Sequence, residues 1–494
     1  MDVGLFSPEL ALILGIVGML LIRLVRACDR VHLAAAALVV VGVAFTLACV
    51  QIVEARNSSD CAKTIPLFTG MLVSDPFSLY VRAVILLASL LTVALTILTG
   101  IPDREDSSDL YTLLLGATLG MMLMTEANHL LMVFIAVEMA SLPSYAMAGF
   151  LKGRRGGSEA ALKYVVFGAA ASGVMLYGIS LLAGMAGSGS LAVVLPHAAG
   201  HLQPGPNFDL ATAVGVAFLF VGLAFKLAAV PFHFWCPDVF EGAAAEVAGF
   251  LSVASKAAAI ALTARVLLML KGPEAIGVVI GIVAAVTATL GNLAAFSQNN
   301  LKRMLAYSTI AHAGYMLLAL ATLRRDAAAA VLFYLAAYVL MNLGAFAVVA
   351  FVRNQTRSED LDAFRGLSTR SPVLAVAFTV FLLSLLGLPP LAGFAGKFQV
   401  FASLWSASRD ASHANLGIFY AALLGIGALN TAISAYYYLR VVRVMILEDA
   451  TEDHTPPRPT TIGVAFYVVG LSLALLALGI LWNPLTSLTA WAVS

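Results

Sequence analysis

Run after run of about twenty apolar residues, joined by connections too short to fold alone, leaves this chain few ways to fold. Crossing about 30 Å of hydrocarbon takes a helix of about twenty mostly apolar residues. At that depth backbone polar groups are satisfied only inside a helix or a closed barrel. Fourteen such stretches occur, at about 7–25, 32–52, 76–99, 109–125, 129–150, 159–185, 210–231, 243–269, 275–297, 303–322, 327–352, 372–406, 415–445 and 461–483. The longest polar connections, 53–70, 187–209, 353–371 and 446–460, are too small to be domains. Only 11% of the 494 residues are charged and the net charge is +1, whereas a soluble domain carries about a quarter charged residues. Soluble, disordered and nucleic-acid-binding classes are thereby excluded. The expected fold is all-α, one polytopic membrane domain over residues 1–494 with about fourteen transmembrane helices. The first stretch has no basic segment before it and no small-residue cleavage site after it, so it reads as a retained helix.

Basic residues near helix ends stay on the cytoplasmic side. Loops after odd-numbered stretches hold sixteen Lys and Arg, and loops after even-numbered ones hold six. Both termini are therefore expected on the non-cytoplasmic side.

Six basic residues fall inside apolar stretches: Arg82, Lys163, Lys226, Lys256, Arg265 and Lys397. A charge at mid-membrane costs a few kcal/mol and normally faces a wet cavity or a partner. Arg82 and Arg265 sit near helix ends, where long side chains snorkel to the interface, and read as anchors. Lys163 fits either an anchor or a functional residue. Lys256 is thirteen residues from both Ala243 and Met269, too deep to snorkel. Lys226 precedes Pro231, which predicts a broken helix. Lys397 follows Gly387, Leu388, Pro389 and Pro390, which split a stretch too long for one straight crossing, so it belongs to a second half-helix. Glu138 stands near the midplane, the deepest carboxylate along any stretch, and is the candidate partner of Lys226. A static ion pair that locks two helices is the structural alternative. His312, flanked by Ser308, Thr309 and Tyr315, suits a proton relay or a hydrogen-bonded structural histidine. His233, beside Pro231, reads as interfacial.

Broken helices that recur at matching places mark inverted-repeat transporters. Stretches four to eight (about 109–269) and nine to thirteen (about 275–445) form two such sets, with the break in the fourth member of each. Glu138 has no acidic counterpart in the second set, where His312 is the nearest titratable group. The four cysteines, Cys28, Cys49, Cys61 and Cys236, form no metal-binding pair, and no GxGxxG follows a strand. No metal or cofactor is expected in this chain.

Several runs then carry a resemblance to a known family: residues 128–145 around Glu138, Glu-Ala-Ala-Leu-Lys-Tyr (159–164) with the small residues that follow to 173, and Phe-Lys-Leu-Ala-Ala-Val-Pro-Phe-His-Phe-Trp (225–235) extending to Gly242. Ser-Lys-Ala (255–257), residues 300–315 through His312, and Gly-Leu-Pro-Pro-Leu-Ala-Gly-Phe-Ala-Gly-Lys-Phe (387–398) complete them. Over nearly its whole length the chain resembles the subunit N family of proton-pumping NADH–quinone oxidoreductase, respiratory complex I. The resemblance implies that Glu138, Lys226, Lys256 and Lys397 match the family's proton-transfer residues, with Lys163, Ser308, Thr309, His312 and Tyr315 as a further relay. It implies sister antiporter-like and small membrane subunits as partners, together with membrane lipid and no nucleic acid, in a bacterial inner membrane. NADH, FMN, iron–sulfur clusters and quinone would be handled by other subunits. The alternatives are a subunit of a multi-subunit sodium/proton antiporter and the equivalent subunit of a ferredoxin-driven photosynthetic complex. One departure concerns Glu-Gly-Ala-Ala-Ala-Glu-Val (241–247): the family reads Pro after Glu-Gly-Ala, and this chain adds Glu246.

Overall fold

The structure, a computed structural model, describes residues 2–24, 33–57, 64–101, 107–151, 155–203, 205–270, 274–449 and 461–494. The apolar stretches form α1 (Ser7–Leu24), α2 (Ala34–Asn57), α3 (Pro76–Thr99), α4 (Ser107–Glu126), α5 (Leu130–Ala148), α6 (Arg155–Ala186) and α7 (Leu210–Leu227). They continue as α8 (Ala245–Leu270), α9 (Glu274–Ala295), α10 (Leu301–Leu320), α11 (Arg325–Thr356), α12 (Pro372–Leu386), α13 (Ala414–Leu447) and α14 (Ile462–Ile480). Among the described residues, eleven of these are long and apolar enough to cross a membrane: all except α4, α10 and the divided α12. α8 and α11 are buried on almost every side, while α1, α2, α13 and α14 expose much of their length. A helix apolar all round suits the centre of such a bundle.

Local chemistry sets the ends. Asp75 caps α3 by accepting from Ser78 N at 2.8 Å, with Pro76 opening the helix and left-handed Gly100 closing it. Asp209 caps α7, and Asn300 caps α10.

The two five-helix sets share more than their breaks. In the first, the strand-like loop before α5 pairs with the loop after α6: Leu130 N donates to Gly189 O at 2.7 Å and Leu191 N to Asn128 O at 3.0 Å. In the second, the loop before α10 pairs in the same way with the loop after α11: Leu301 N to Glu359 O at 3.0 Å and Leu361 N to Asn299 O at 2.8 Å. The first bridge joins loops after even-numbered helices and the second joins loops after odd-numbered ones. Five helices per set also reverse the direction of each matched crossing. The relation between the sets is therefore inverted. The breaks match too, with α7 ending on left-handed Ala228 (φ 54) and α12 on left-handed Gly387 (φ 91). The half-helices Trp235–Gly242 and Ala392–Arg409 follow them.

Three short elements lie in or beside stretches expected to be loops. The connection 187–209 holds a helix, Leu191–His201, which buries Leu191, Val194, Leu195 and Ala198 on one face. Eleven residues are too few to register in a scan for membrane crossings. A small hairpin, β1 (Ile65–Leu67) against β2 (Leu72–Ser74), precedes α3, and a helix, Asn483–Ala492, follows α14.

Candidate functional site

A helix that stops inside the protein leaves carbonyls without partners and the negative end of its dipole exposed. Lysines meet these ends at both breaks. Lys397, on the half-helix Ala392–Arg409, donates to the Leu385 and Leu386 carbonyls of α12 at 2.9 and 3.0 Å, and its ammonium stands 4.7 Å from the ring centroid of Tyr315. Lys256 of α8 donates to the Leu227 carbonyl of α7 and stands 5.9 Å from the centroid of Trp235. A wide, π-type turn at Leu251–Ser255 immediately precedes Lys256, and such a turn leaves the backbone locally loosened. Lys226 occupies the last turn of α7, one residue before the carbonyl that Lys256 binds. Its Nζ is buried and makes no hydrogen bond among the described residues. Lys226 and Lys397 thus lie on opposite sides of their breaks, and in the first set the broken end is met instead by Lys256, from the helix after the half-helix.

Between the lysine sites runs a buried polar network. His312 Nδ1 lies 2.6 Å from the Tyr334 hydroxyl and its Nε2 lies 3.2 Å from the Tyr438 hydroxyl, which also bonds Ser308. Tyr338 packs beside the imidazole at 5.3 Å and accepts from Asn342, whose amide also reaches Ser252 at 2.7 Å, one turn before Lys256, and Thr309 at 3.5 Å. Tyr315 accepts from Asn292 at 3.0 Å, and its ring lies beneath Lys397. Ser308, Thr309, His312 and Tyr315 are accordingly brought together, whereas Lys163 is not. Lys163 is partly exposed and ion-paired to Glu159 at 2.8 Å and Asp238 at 2.7 Å, in a cluster that Arg303 joins.

Glu138 does not contact Lys226. Its carboxylate accepts from the Ser172 hydroxyl of α6, and its charge reaches the Lys226 ammonium only at longer range. Leu131, Ile135 and Leu142, on the same face of α5, are 48, 37 and 62% exposed, so Glu138 lies along an outward apolar stripe.

Other expectations are corrected. Arg82 is no interfacial anchor but fully buried, in contact with Glu9 and Glu126. Arg265 is held by Asp75 through both nitrogens, at 2.7 and 2.9 Å. His233 is buried at the α7 break rather than interfacial. Burial is distinct from depth along a stretch: Glu9, Glu126 and Glu246 lie nearer helix ends yet are fully buried, whereas Glu138 is partly exposed. Glu246 receives Arg353 at 2.9 Å, which ties the start of α8 to α11. Tyr334, Tyr438, Asn342 and Asn292 were not singled out in the sequence, since single hydroxyls and amides inside apolar helices carry no spacing pattern.

Residues 127–423 match the family model described as NADH:quinone oxidoreductase/Mrp antiporter, TM. The chain belongs to this family. NADH-quinone oxidoreductase subunit N of Anaeromyxobacter sp. (strain Fw109-5) is 41% identical, with 98% of this chain and 95% of that one covered. The subunit of the same name from Rhodospirillum rubrum is 38% identical, covering 92% and 90%. Among solved structures, a chain of respiratory complex I from Thermus thermophilus superposes with a TM-score of 0.77 at 34% identity, covering 98% of this chain and 99% of that one. A chain of the Mrp complex from Dietzia sp. DQ12-45-1b reaches 0.86 at 21% identity over 100% and 97%, which shows a shared fold.

Proposed function

We propose that this chain is the proton-translocating membrane subunit of an NADH–quinone oxidoreductase complex, driven by electron transfer in other subunits. NADH, flavin, iron–sulfur clusters and quinone belong to those other subunits. Relatives called subunit N at 38–41% identity favour this reading over the sodium/proton antiporter, whose structural counterpart shares the fold at 21%. The observation that carries the mechanism is the pair of ammonium groups on opened helix ends, with the His312 network between them.

In the mechanism, Glu138 on its outward stripe is covered by a neighbouring membrane subunit, since a carboxylate facing lipid is costly. Its charge sustains the Lys226 ammonium, which has no hydrogen-bond partner among the described residues. When a change in the neighbour neutralises Glu138, Lys226 becomes an uncompensated buried charge and releases its proton. The proton passes through water to Lys256 at the Leu227 carbonyl, then along Asn342, Tyr338, His312 and Tyr334 or Tyr438 to Lys397, which leads to the exit. Lys163 contributes at the edge, through Asp238, by tuning the charge near the break. The membrane is the bacterial inner membrane, with both termini on the non-cytoplasmic side.

The test is the proton-to-electron ratio of the assembled complex in sealed vesicles. Lys256→Ala or Glu138→Ala should lower it, and an unchanged ratio in either variant would sink the relay.

A further inference from the structure

Outside the lysine line, a buried cluster of charges lies where α1, α3, α4 and α8 meet. One nitrogen of Arg82 lies 3.1 and 3.2 Å from the two oxygens of Glu9 and 2.6 Å from Glu126 Oε1. The other donates to Gln51 Oε1 at 2.9 Å. Gln51 brings no charge, and its amide is spent on the Gly4 and Leu5 carbonyls and the Ser7 hydroxyl. The side chains of Glu9, Arg82 and Glu126 have no exposure at all. The neighbouring cation, Arg265, is committed to Asp75 through both nitrogens.

The charges do not balance. Among the described residues, Glu9, Glu126 and Asp75 face Arg82 and Arg265 alone, so full ionisation leaves one excess negative charge in the cluster. Contact with a single guanidinium nitrogen also holds the two glutamates within roughly 6 Å of one another, the range in which like charges oppose joint ionisation. Apart from its ion pair, neither Glu126 oxygen has a hydrogen-bond partner among the described residues. A proton on this carboxyl removes the excess charge and converts an oxygen with nothing to accept from into a donor.

We propose that Glu9 and Glu126 hold one exchangeable proton between them, with Arg82 balancing whichever carboxylate is ionised. This is a second proton-binding site, at the face where α1 and α3 begin and α4 ends, the face of the sparsely basic loops. It does not depend on the Glu138 relay.

Infrared spectra of the purified, assembled complex in H2O and D2O test it. Glu9→Gln and Glu126→Gln each imitate one protonated form, so both should assemble to wild-type subunit content. In either variant Arg82 matches the remaining carboxylate, which ionises. Each substitution alone should therefore abolish the same single D2O-sensitive carboxylic C=O band. Retention of that band in either variant overturns the shared proton, as does failure of either variant to assemble.

Discussion

Each lysine of the line is kept in the membrane by a different local device. Among the described residues, Lys397 has two carbonyls and a ring face, Lys256 one carbonyl and a ring face, and Lys226 only the distant charge of Glu138. Lys226 is therefore the member whose charge depends most on Glu138. Lys397→Met keeps the bulk but leaves the α12 carbonyls without an ammonium. Proton pumping should fall at least tenfold in assembled complex, while a static scaffold would retain it. The His312 hydroxyl partners are open to finer removal: Tyr334→Phe deletes one hydrogen bond and Tyr438→Phe two, to His312 and Ser308, each worth about 1 kcal/mol to stability. Assembly should persist while proton-coupled turnover drops several-fold, read as vesicle acidification per NADH oxidised. Outside the membrane stretches, Asp75 responds to pH. Burial pushes its carboxyl up, but the Arg265 guanidinium and the Ser78 bonds outweigh this and hold it below the usual carboxylate range. A carboxyl lowered in the folded state contributes stability above its unfolded value and loses it as pH falls through the folded value. Asp75→Asn should cost about 3–5 kcal/mol at neutral pH by stranding Arg265. Melting curves of the variant should also lose part of the acid-side decline seen in the wild type.

At the scale of elements, the breaks show what sequence reveals and what it hides. The α12 break was legible because Gly387, Pro389 and Pro390 forbid a continuous helix. The α7 break was half legible: Pro231 marks it, but the half-helix Trp235–Gly242 beyond it reads as loop. The wide turn before Lys256 was not legible, because Leu-Ser-Val-Ala-Ser (251–255) differs in no local propensity from an ordinary helix. Packing decides such a turn. Packing also fixes how closely the halves of α12 approach. A Cβ on Gly393 would lie 1.8 Å from the Ser384 carbonyl oxygen and 2.9 Å from its Oγ. Gly393→Ala must therefore wedge the half-helix away from α12, at about 1–3 kcal/mol, and draw Lys397 off its carbonyls. Pumping should be lost even where the complex assembles, and thermal stability should fall. The left-handed caps give the opposite sign: Ala228→Gly suits φ 54 and should be stabilising or neutral, whereas Gly387→Ala at φ 91 should destabilise.

Across the whole molecule, the alternation of basic loops has a physical counterpart in which loops touch. Lys302 reaches the Ala243 carbonyl at 2.6 Å, Asn354 the Thr99 carbonyl at 2.9 Å, and Arg440 the Asn299 side chain at 2.8 Å, and all of these join loops or helix ends on the strongly basic face. On the other face Asn128 N bonds Met71 O at 3.0 Å and Leu130 N bonds Gly189 O. The Glu9, Arg82 and Glu126 cluster lies on that second face and could not be read beforehand, since its members are separated by up to 117 residues and only the packing of α1, α3 and α4 joins them. The two bridges lie on opposite faces, and with three crossings before the sets and one after them both termini would fall with the sparsely basic loops. In the proposed orientation, which follows the positive-inside imbalance, that face is outside. Alkaline phosphatase fused after Ser494 should therefore be active, and a fluorescent protein that matures only in the cytoplasm should stay dark at the same position. Fused after Arg357, in a loop of the opposite face, the two reporters should exchange behaviour. Identical behaviour at both positions would contradict the inverted sets and the charge rule together, while a joint reversal would retain the inversion and overturn only the assignment of sides.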